Sequence, residues 1–481
     1  MPSPDPGIAT PSLPRLCGPD GEIPASALER AISDLSLITR EIDARRIALL
    51  LGNSPLFAAA LLSVFSRKGS AVLLNPALTA GEIAKALSVT GALHLMTAAD
   101  YPAAKELAAF TPRLVQGITL PRIGALNLWH VGGDAVQAAL PLDGEFVVQF
   151  TSGVSGVPLA VSRTYEQAAD EVTNFVARVG LSSDDIVFCA APLFHSYGLF
   201  AGLMASLHVQ AKFVILPNFS PADVAEAVTR YRPTVFLGVP FMYEILQRSA
   251  GAIDFSSFRL LLSAGAPLHP QVALSFRERF GKNISQLYGS TEAGIMSLNF
   301  GDRPAASAMS VGTPLKDRQI RVVDANDKDV RDGEEGEITV FSPATATAYL
   351  GRPEISAEKF RNGWYYTGDI GRHDAAGHLY VTGRKSSFMN VGGLKVDPSE
   401  VEQAIMASGE ALECAVVGVS RPQFGEIIAA YVVLKPGGAL EPLRAHCRAH
   451  LASFKMPREF HGVDALPRSA TGKVLRKYLI E

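Results

Sequence analysis

The sequence predicts an α/β protein: a large N-terminal domain of doubly wound sheets with a β-rich appendage, then a small α+β C-terminal domain. Three observations point there. From Ile47 onward, short β-branched runs alternate with helical stretches, as they do where parallel strands are joined by crossover helices. Five of those runs break off into loops of Gly, Ser, Thr and Pro. Beyond Gly383-Arg384 the pattern begins afresh with its own helix start.

In chain order, residues 1–25 are rich in Pro, Gly and Ser and read as a loose leader. They lack a basic n-region and an apolar h-region, so no secretory signal is expected. The longest apolar stretch, Leu56-Phe57-Ala58-Ala59-Ala60-Leu61-Leu62, falls far short of the roughly 18–20 residues of a membrane span. The five strands follow. The run 146–150 ends in Thr151-Ser152-Gly153, and 185–189 ends in Ala191-Pro192-Leu193-Phe194-His195. The run 234–237 ends in Gly238-Val239-Pro240, 259–262 in Ser263-Ala264-Gly265-Ala266-Pro267, and 284–287 in Tyr288-Gly289-Ser290-Thr291-Glu292. Between the last two, Val272, Phe276 and Phe280 recur at helical spacing, with Pro270 near the start and Gly281 just past the end. Strands joined this way run parallel, so the five loops are expected together at one sheet edge, where open α/β sheets bind ligands. The run 337–341 predicts the β-rich appendage. Asp397-Pro398-Ser399-Glu400 offers an N-cap, a first-turn proline and an N3 glutamate, with strands expected near 414–419 and 426–435. The boundary is placed close to Ser386, giving domains 1–385 and 386–481.

Composition narrows the partners. The 481 residues are 48% hydrophobic and 19% charged, which suits a packed globule. Lys plus Arg is 44 against 47 for Asp plus Glu, a formal charge of −3, which gives no electrostatic case for nucleic acid or an anionic membrane. Cys17, Cys189, Cys414 and Cys447 show no CxxC spacing, so neither a zinc site nor a disulfide framework is expected, and a reducing cytoplasm is the simplest compartment.

The chemistry-bearing residues lie in the loops. Thr151, Ser152, Gly153, Ser155 and Gly156 offer hydroxyls and backbone N–H groups able to wrap phosphate oxygens, without the Gly-Lys-Ser/Thr ending of a Walker loop. In Tyr288-Gly289-Ser290-Thr291-Glu292-Ala293-Gly294 the tyrosine offers a flat face for a base, the threonine a phosphate donor and the glutamate an oxygen ligand for Mg²⁺. A capped helix start also explains Ser-Thr-Glu. Asp369 can accept from two ribose hydroxyls or simply sit in a hairpin turn. Lys473, after Gly472, can bring a point charge to an oxyanion, although alone it reads as a surface lysine. His195 reads equally as a loop histidine.

Taken in order, these segments resemble the adenylate-forming superfamily of acyl- and aryl-CoA ligases, peptide-synthetase adenylation domains and luciferases. The similarity runs from Ala48-Leu49-Leu50-Leu51-Gly52-Asn53-Ser54-Pro55 to Thr471-Gly472-Lys473-Val474-Leu475-Arg476. The resemblance implies ATP, Mg²⁺ and coenzyme A as co-substrates and cofactor. It makes Thr151 to Gly156 the phosphate loop, and Gly265, Ala266 and Pro267 with Tyr288 the adenine slot. Thr291 becomes the α-phosphate contact, Glu292 the magnesium ligand, Asp369 and Arg384 the ribose pair, and Lys473 the adenylation lysine. His195, Tyr197, Gly238, Val239, Gly289 and Gly294 become the acid pocket, Gly392 and Gly393 the thiol channel, and Ser386 the hinge of a mobile C-terminal domain. Three positions depart from the family pattern. Leu159 in Pro158-Leu159-Ala160 stands where the family has a lysine that reaches the outer phosphates. Ser386 replaces the usual hinge Asp or Lys, and Asn390 replaces a lysine that some relatives use in the second half-reaction.

The loop 192–199 has no acid to hold an α-ammonium, which turns the expectation from amino acids to an aryl or small-to-medium aliphatic acid. No carrier domain follows Glu481, so the thiol is expected from another molecule, coenzyme A ahead of a carrier-protein phosphopantetheine. Leu159 leaves two further readings open: a relative that binds adenylates without making them, and one that activates an unusual anion for attack by an amine.

Overall fold

The computed structural model describes residues 13, 15–19, 21–42, 45–102, 107, 112–131, 141–151, 159–249, 253–300, 310–385, 389–391, 394–396, 398–421, 425–451, 455–469 and 472–480. Contacts divide the chain into two compact units, Met1–Ile320 with Val340–Tyr366, and Arg321–Thr339 with Thr367–Glu481.

The first unit contains two large sheets. One has nine strands, with a parallel centre in the order Ser285–Ser290, Leu260–Ser263, Val235–Gly238, Ile186–Cys189, Lys212–Ile215, Leu16–Gly18. The other has seven, with parallel pairing among His94–Ala98, Arg46–Leu50, Ser70–Leu73 and Glu145–Thr151. Parallel strands need crossovers, and the helix Pro270–Phe280 is one, with Pro270 in its first turn and Gly281 left-handed at its C-cap, as the sequence spacing indicates. The apolar stretch noted above becomes the helix Pro55–Ser66, started by Ser54, whose side chain accepts from the Phe57 N–H. It is apolar around its whole circumference because it touches strands of both sheets, and residues of both share one core. Burying Leu56, Phe57, Leu61 and Val64 there contributes about 1.5–3 kcal/mol each. No helix among the described residues is long and apolar enough to cross a membrane.

Two expectations are corrected. The five loops do not share the edge of one sheet: four follow strands of the nine-stranded sheet, whereas Thr151 ends a strand of the seven-stranded one. An alternating strand–helix pattern reports parallel pairing but carries no signal for which sheet a strand joins. The segment Tyr288–Glu292 neither follows its strand as an open loop nor starts a helix. The strand continues to Ser290, turns over Thr291 to Ala293 and returns antiparallel as Gly294–Asn299. Ala293 N–H donates to Ser290 Oγ at 3.1 Å, so the serine caps this turn rather than a helix.

In the second unit, the strand Trp364–His373, of which Thr367 to His373 belong here, pairs antiparallel with Leu379–Arg384. The strand anticipated over 337–341 is Gly336–Phe341, of which Gly336 to Thr339 belong to this unit. The strands Ala411–Arg421, Gly425–Leu434 and Glu459–Gly462 form a sheet, against which the helices Pro398–Ala407 and Leu440–His450 share a core. The strands expected near 414–419 and 426–435 are thus present. Ser386, the expected boundary, lies outside the described residues, as does Asp397.

Candidate active site

In the first unit the hairpin brings together Tyr288, Gly289, Ser290, Thr291 and Glu292, with Gly289 exposed. Glu292 is only 6% exposed. Its carbonyl oxygen accepts Ala346 N–H at 2.7 Å, and its Oε1 accepts the Tyr349 hydroxyl at 2.9 Å. Tyr349 is itself fixed, its N–H donating to Ser356 Oγ at 2.9 Å and its ring packing on Phe360. A buried carboxylate with one oxygen held and no second hydrogen bond among the described residues fits a hard divalent cation such as Mg²⁺. Leu159, partly buried, packs in the cluster of Val161, Ala346 and Tyr349, beside the tyrosine that holds Glu292. An apolar side chain at this position therefore has a packing role of its own.

Behind the hairpin lies a buried ion pair. Arg163 Nη1 meets Glu171 Oε2 at 2.5 Å, both side chains being 1% exposed, and Glu171 Oε1 accepts Ile295 N–H at 3.1 Å. Gly294 has a φ of +68°, and a β carbon there would lie 2.7 Å from Glu171 Oε2, so glycine is required on both counts.

The adenine-slot candidates Gly265 and Pro267 are exposed and Ala266 half-buried at the end of Leu260–Ser263, an open edge where a flat base can lie. Gly238 and Val239, buried, end the neighbouring strand.

The loop after Ile186–Cys189 leads through His195 into a π-helix, Tyr197–Met204, which nothing in the sequence announced. Such helices are rare and concentrate at functional sites. His195 N–H donates to Pro192 O at 3.2 Å, and its ring lies 4.6 Å from that of Phe194. Burial lowers its pKa to about 4, so the imidazole is neutral near pH 7. The Tyr197 hydroxyl donates to Leu262 O at 3.0 Å, and burial raises its pKa. Its phenol is therefore a neutral wall rather than an acid or base.

Two residues not singled out in the sequence hold this loop, Gln149 on a strand of the seven-stranded sheet and Asn53 in the connection that follows its strand Arg46–Leu50. Gln149 Nε2 donates to Phe194 O at 3.1 Å and its Oε1 accepts the Ser196 hydroxyl at 2.8 Å. Asn53 Nδ2 donates to Ala191 O and Leu216 O at 3.0 and 3.2 Å, while its Oδ1 accepts Leu193 N–H at 2.7 Å. The available signal was chemical: a buried amide inside an apolar run must find partners.

In the second unit, Asp369 and Arg384 stand directly opposite each other on paired strands, with Arg384 Nε 3.1 Å from Asp369 Oδ1. Lys473 sits in a hairpin closed by the Arg468–Val474 bridge, its N–H donating to Ser469 Oγ at 3.2 Å. Thr151 is described at its strand end, paired with Leu159. Ser152, Gly153, Ser155, Gly156, Ser386, Gly392 and Gly393 lie outside the described residues, as does the side chain of Asn390.

This arrangement coincides with whole-chain similarity: the chain belongs to the AMP-binding enzyme family, whose model matches residues 40–350, and the AMP-binding enzyme C-terminal domain matches 400–473. Among its relatives is a feruloyl-CoA synthase of Amycolatopsis sp, 32% identical over 90% of this chain and 87% of that protein. The solved o-succinylbenzoate CoA synthetase from Bacillus subtilis, in complex with its acyl-adenylate intermediate, superposes with a TM-score of 0.82 at 26% identity, covering 98% of this chain and 96% of the other. An amide bond synthetase from Marinactinospora thermotolerans superposes equally well, at 0.82 and 26% identity over 98% and 97%.

Proposed function

We infer that this chain is an ATP-dependent, AMP-forming acid–thiol ligase that activates a carboxylic acid as its adenylate and transfers the acyl group to coenzyme A. The observation that supports it most is Glu292, a buried carboxylate with one oxygen fixed by Tyr349 and set beside Thr291 on a rigid hairpin. The acid's carboxylate oxygen attacks the α-phosphate, the bond to the β-phosphate breaks and pyrophosphate leaves. Thr291 contacts the α-phosphate, Asp369 and Arg384 hold the ribose, Tyr288 and the 265–267 loop take the adenine, and Lys473 neutralises charge developing on the phosphate. Glu292 would hold Mg²⁺, which when bound adds further charge neutralisation on the phosphates. His195, neutral, lines the acid pocket with Tyr197, Gly238, Val239, Gly289 and Gly294.

The same reading gives the region from Ser386 onward the role of a mobile domain. It withdraws Lys473 after adenylation so that a thiol can reach the mixed anhydride through the Gly392–Gly393 region. An aryl acid, or a small-to-medium aliphatic one, is favoured by the aromatic acids named in the relatives and by the small residues among the pocket candidates. The amide bond synthetase likeness, together with Leu159, supports a second reading, an amine acceptor. Both are tested by ATP–pyrophosphate exchange across benzoate, 4-coumarate, 2-succinylbenzoate and hexanoate, with Lys473→Ala as control, followed by product analysis with coenzyme A, a carrier protein or an amine. Exchange that depends on an aryl acid and yields a thioester supports the ligase; an amide product shifts the assignment to the second reading, and the absence of acid-dependent exchange sinks both.

A further inference from the structure

The hairpin that presents Lys473 contains an arginine without a role in the reading above. Arg468 stands opposite Val474 in the bridge that closes it. Its Nη1 donates to the Gly472 carbonyl oxygen at 2.7 Å, and its Nη2 forms a short ion pair with Glu413 Oε2. Glu413 belongs to the strand Ala411–Arg421, paired along its length with Gly425–Leu434. Gly472 is buried with a φ of +76°, in the left-handed region, and its N–H donates to Ser469 O at 2.8 Å. The carbonyl that Arg468 grips belongs to the same peptide group as the Lys473 N–H, which donates to Ser469 Oγ. One end of that peptide is thus tied within the hairpin and the other, through the guanidinium, to the sheet. A lysine is a point charge on a flexible four-carbon stem, so the position of its ammonium depends on where its backbone is anchored. An error of about 1 Å in such a group costs on the order of 100-fold in rate.

We propose that Arg468, backed by Glu413, is a positioning residue for adenylation, fixing the Gly472–Lys473 peptide so that the lysine ammonium meets the charge developing on the α-phosphate. This rests on the reading of Lys473 as the adenylation lysine. A planar two-pronged donor suits the task because it bridges a carbonyl and a carboxylate at once, which an ammonium on a shorter reach does less well.

The test uses the full chain and splits the reaction. Arg468→Met, Arg468→Lys, Glu413→Gln and Lys473→Ala are assayed for ATP–pyrophosphate exchange with whichever of benzoate, 4-coumarate, 2-succinylbenzoate or hexanoate drives it fastest. They are also assayed for transfer from that acid's synthetic acyl-AMP to coenzyme A, and unfolding midpoints report folding. Arg468→Met should lower the exchange rate constant about 10- to 100-fold with transfer held within about twofold, and Arg468→Lys should recover part of the loss. Glu413→Gln should fall between. A loss of equal size in both halves assigns Arg468 a merely structural role and overturns the proposal, as does unchanged exchange. If Lys473→Ala loses exchange but Arg468→Met does not, only the positioning role fails. If Lys473→Ala keeps exchange, the lysine reading fails and the positioning role with it.

Discussion

Gln149 accepts the Ser196 hydroxyl at 2.8 Å, and through this bond a strand of one sheet sets the loop of the other that carries His195. The same amide donates to Phe194 O, so the two residues flanking His195 are both fixed by one side chain that is 2% exposed. Asn53, three residues past the strand Arg46–Leu50 of the same sheet, does likewise for residues 191 to 193. The conformation of the 191–196 loop is therefore a product of how the two sheets meet, rather than of its own sequence.

Gln149→Leu should leave the buried Phe194 O and the half-buried Ser196 Oγ without their partners. A loss of about 1–3 kcal/mol in urea unfolding is expected, with a raised KM for the acid and a nearly unchanged KM for ATP. Equal rises in both constants would show that the bond shapes the unit at large and not the acid loop.

Leu159→Lys places an ammonium just after the segment proposed to bind phosphate, where the family pattern has one. A charge-assisted hydrogen bond to phosphate contributes on the order of 1.5–3 kcal/mol, so a fall of roughly 10- to 100-fold in KM for ATP is expected. The same change removes an apolar side chain from beside Tyr349 and should lower stability modestly. A titration of the exchange reaction with ATP decides it; an unchanged or higher KM would mean that the packing on Tyr349, and through it Glu292, matters more than the charge.

Much of the fold was legible because its signals are local. The helix Pro270–Phe280 declared itself by Val272, Phe276, Pro270 and Gly281, and the loop bearing Gly265 by where its apolar run stops. What stayed hidden depends on partners distant in sequence. Thr151 ends a strand of one sheet and Gly265 follows a strand of the other, and no periodicity encodes that. Ser290-Thr291-Glu292 satisfies a helix cap and a hairpin turn equally well, and the antiparallel partner Gly294–Asn299 decided between them. The π-helix Tyr197–Met204 is an apolar run with two glycines, and nothing in it marks a π-helix. Tyr349, 57 residues from Glu292 in sequence, had nothing to mark it as that carboxylate's partner.

His195 makes stability depend on pH in a stated direction. The unfolded chain protonates it near pH 6.5, whereas burial delays protonation in the folded chain to about pH 4. Between those values the unfolded state binds more protons, so its contribution is complete above pH 6.5 and is lost as pH falls towards 4. The slope is about 1.4 kcal/mol per pH unit, or about 2 kcal/mol between pH 7.5 and pH 5. Urea unfolding at those two pH values should show His195→Gln losing about 2 kcal/mol less than the parent; equal losses would mean that the ring is protonated in the fold.

The Arg163–Glu171 pair predicts strong non-additivity. Arg163 lies over the Phe200 ring at 4.7 Å and donates from Nη2 to Gln167 O, while Glu171 holds Ile295 N–H beside Gly294. Arg163→Met strands a carboxylate in an apolar interior and should cost about 3–5 kcal/mol. Arg163→Met with Glu171→Leu removes both charges and leaves chiefly the Ile295 N–H unpaired, about 1–3 kcal/mol, so the double variant should be more stable than the single one. Because Ile295 adjoins the turn that carries Thr291 and Glu292, both variants should also raise the KM for ATP, the single more than the double. A double variant no more stable than Arg163→Met would show that the pair contributes net stability, and that the hairpin relies on the charges themselves rather than on the space they fill.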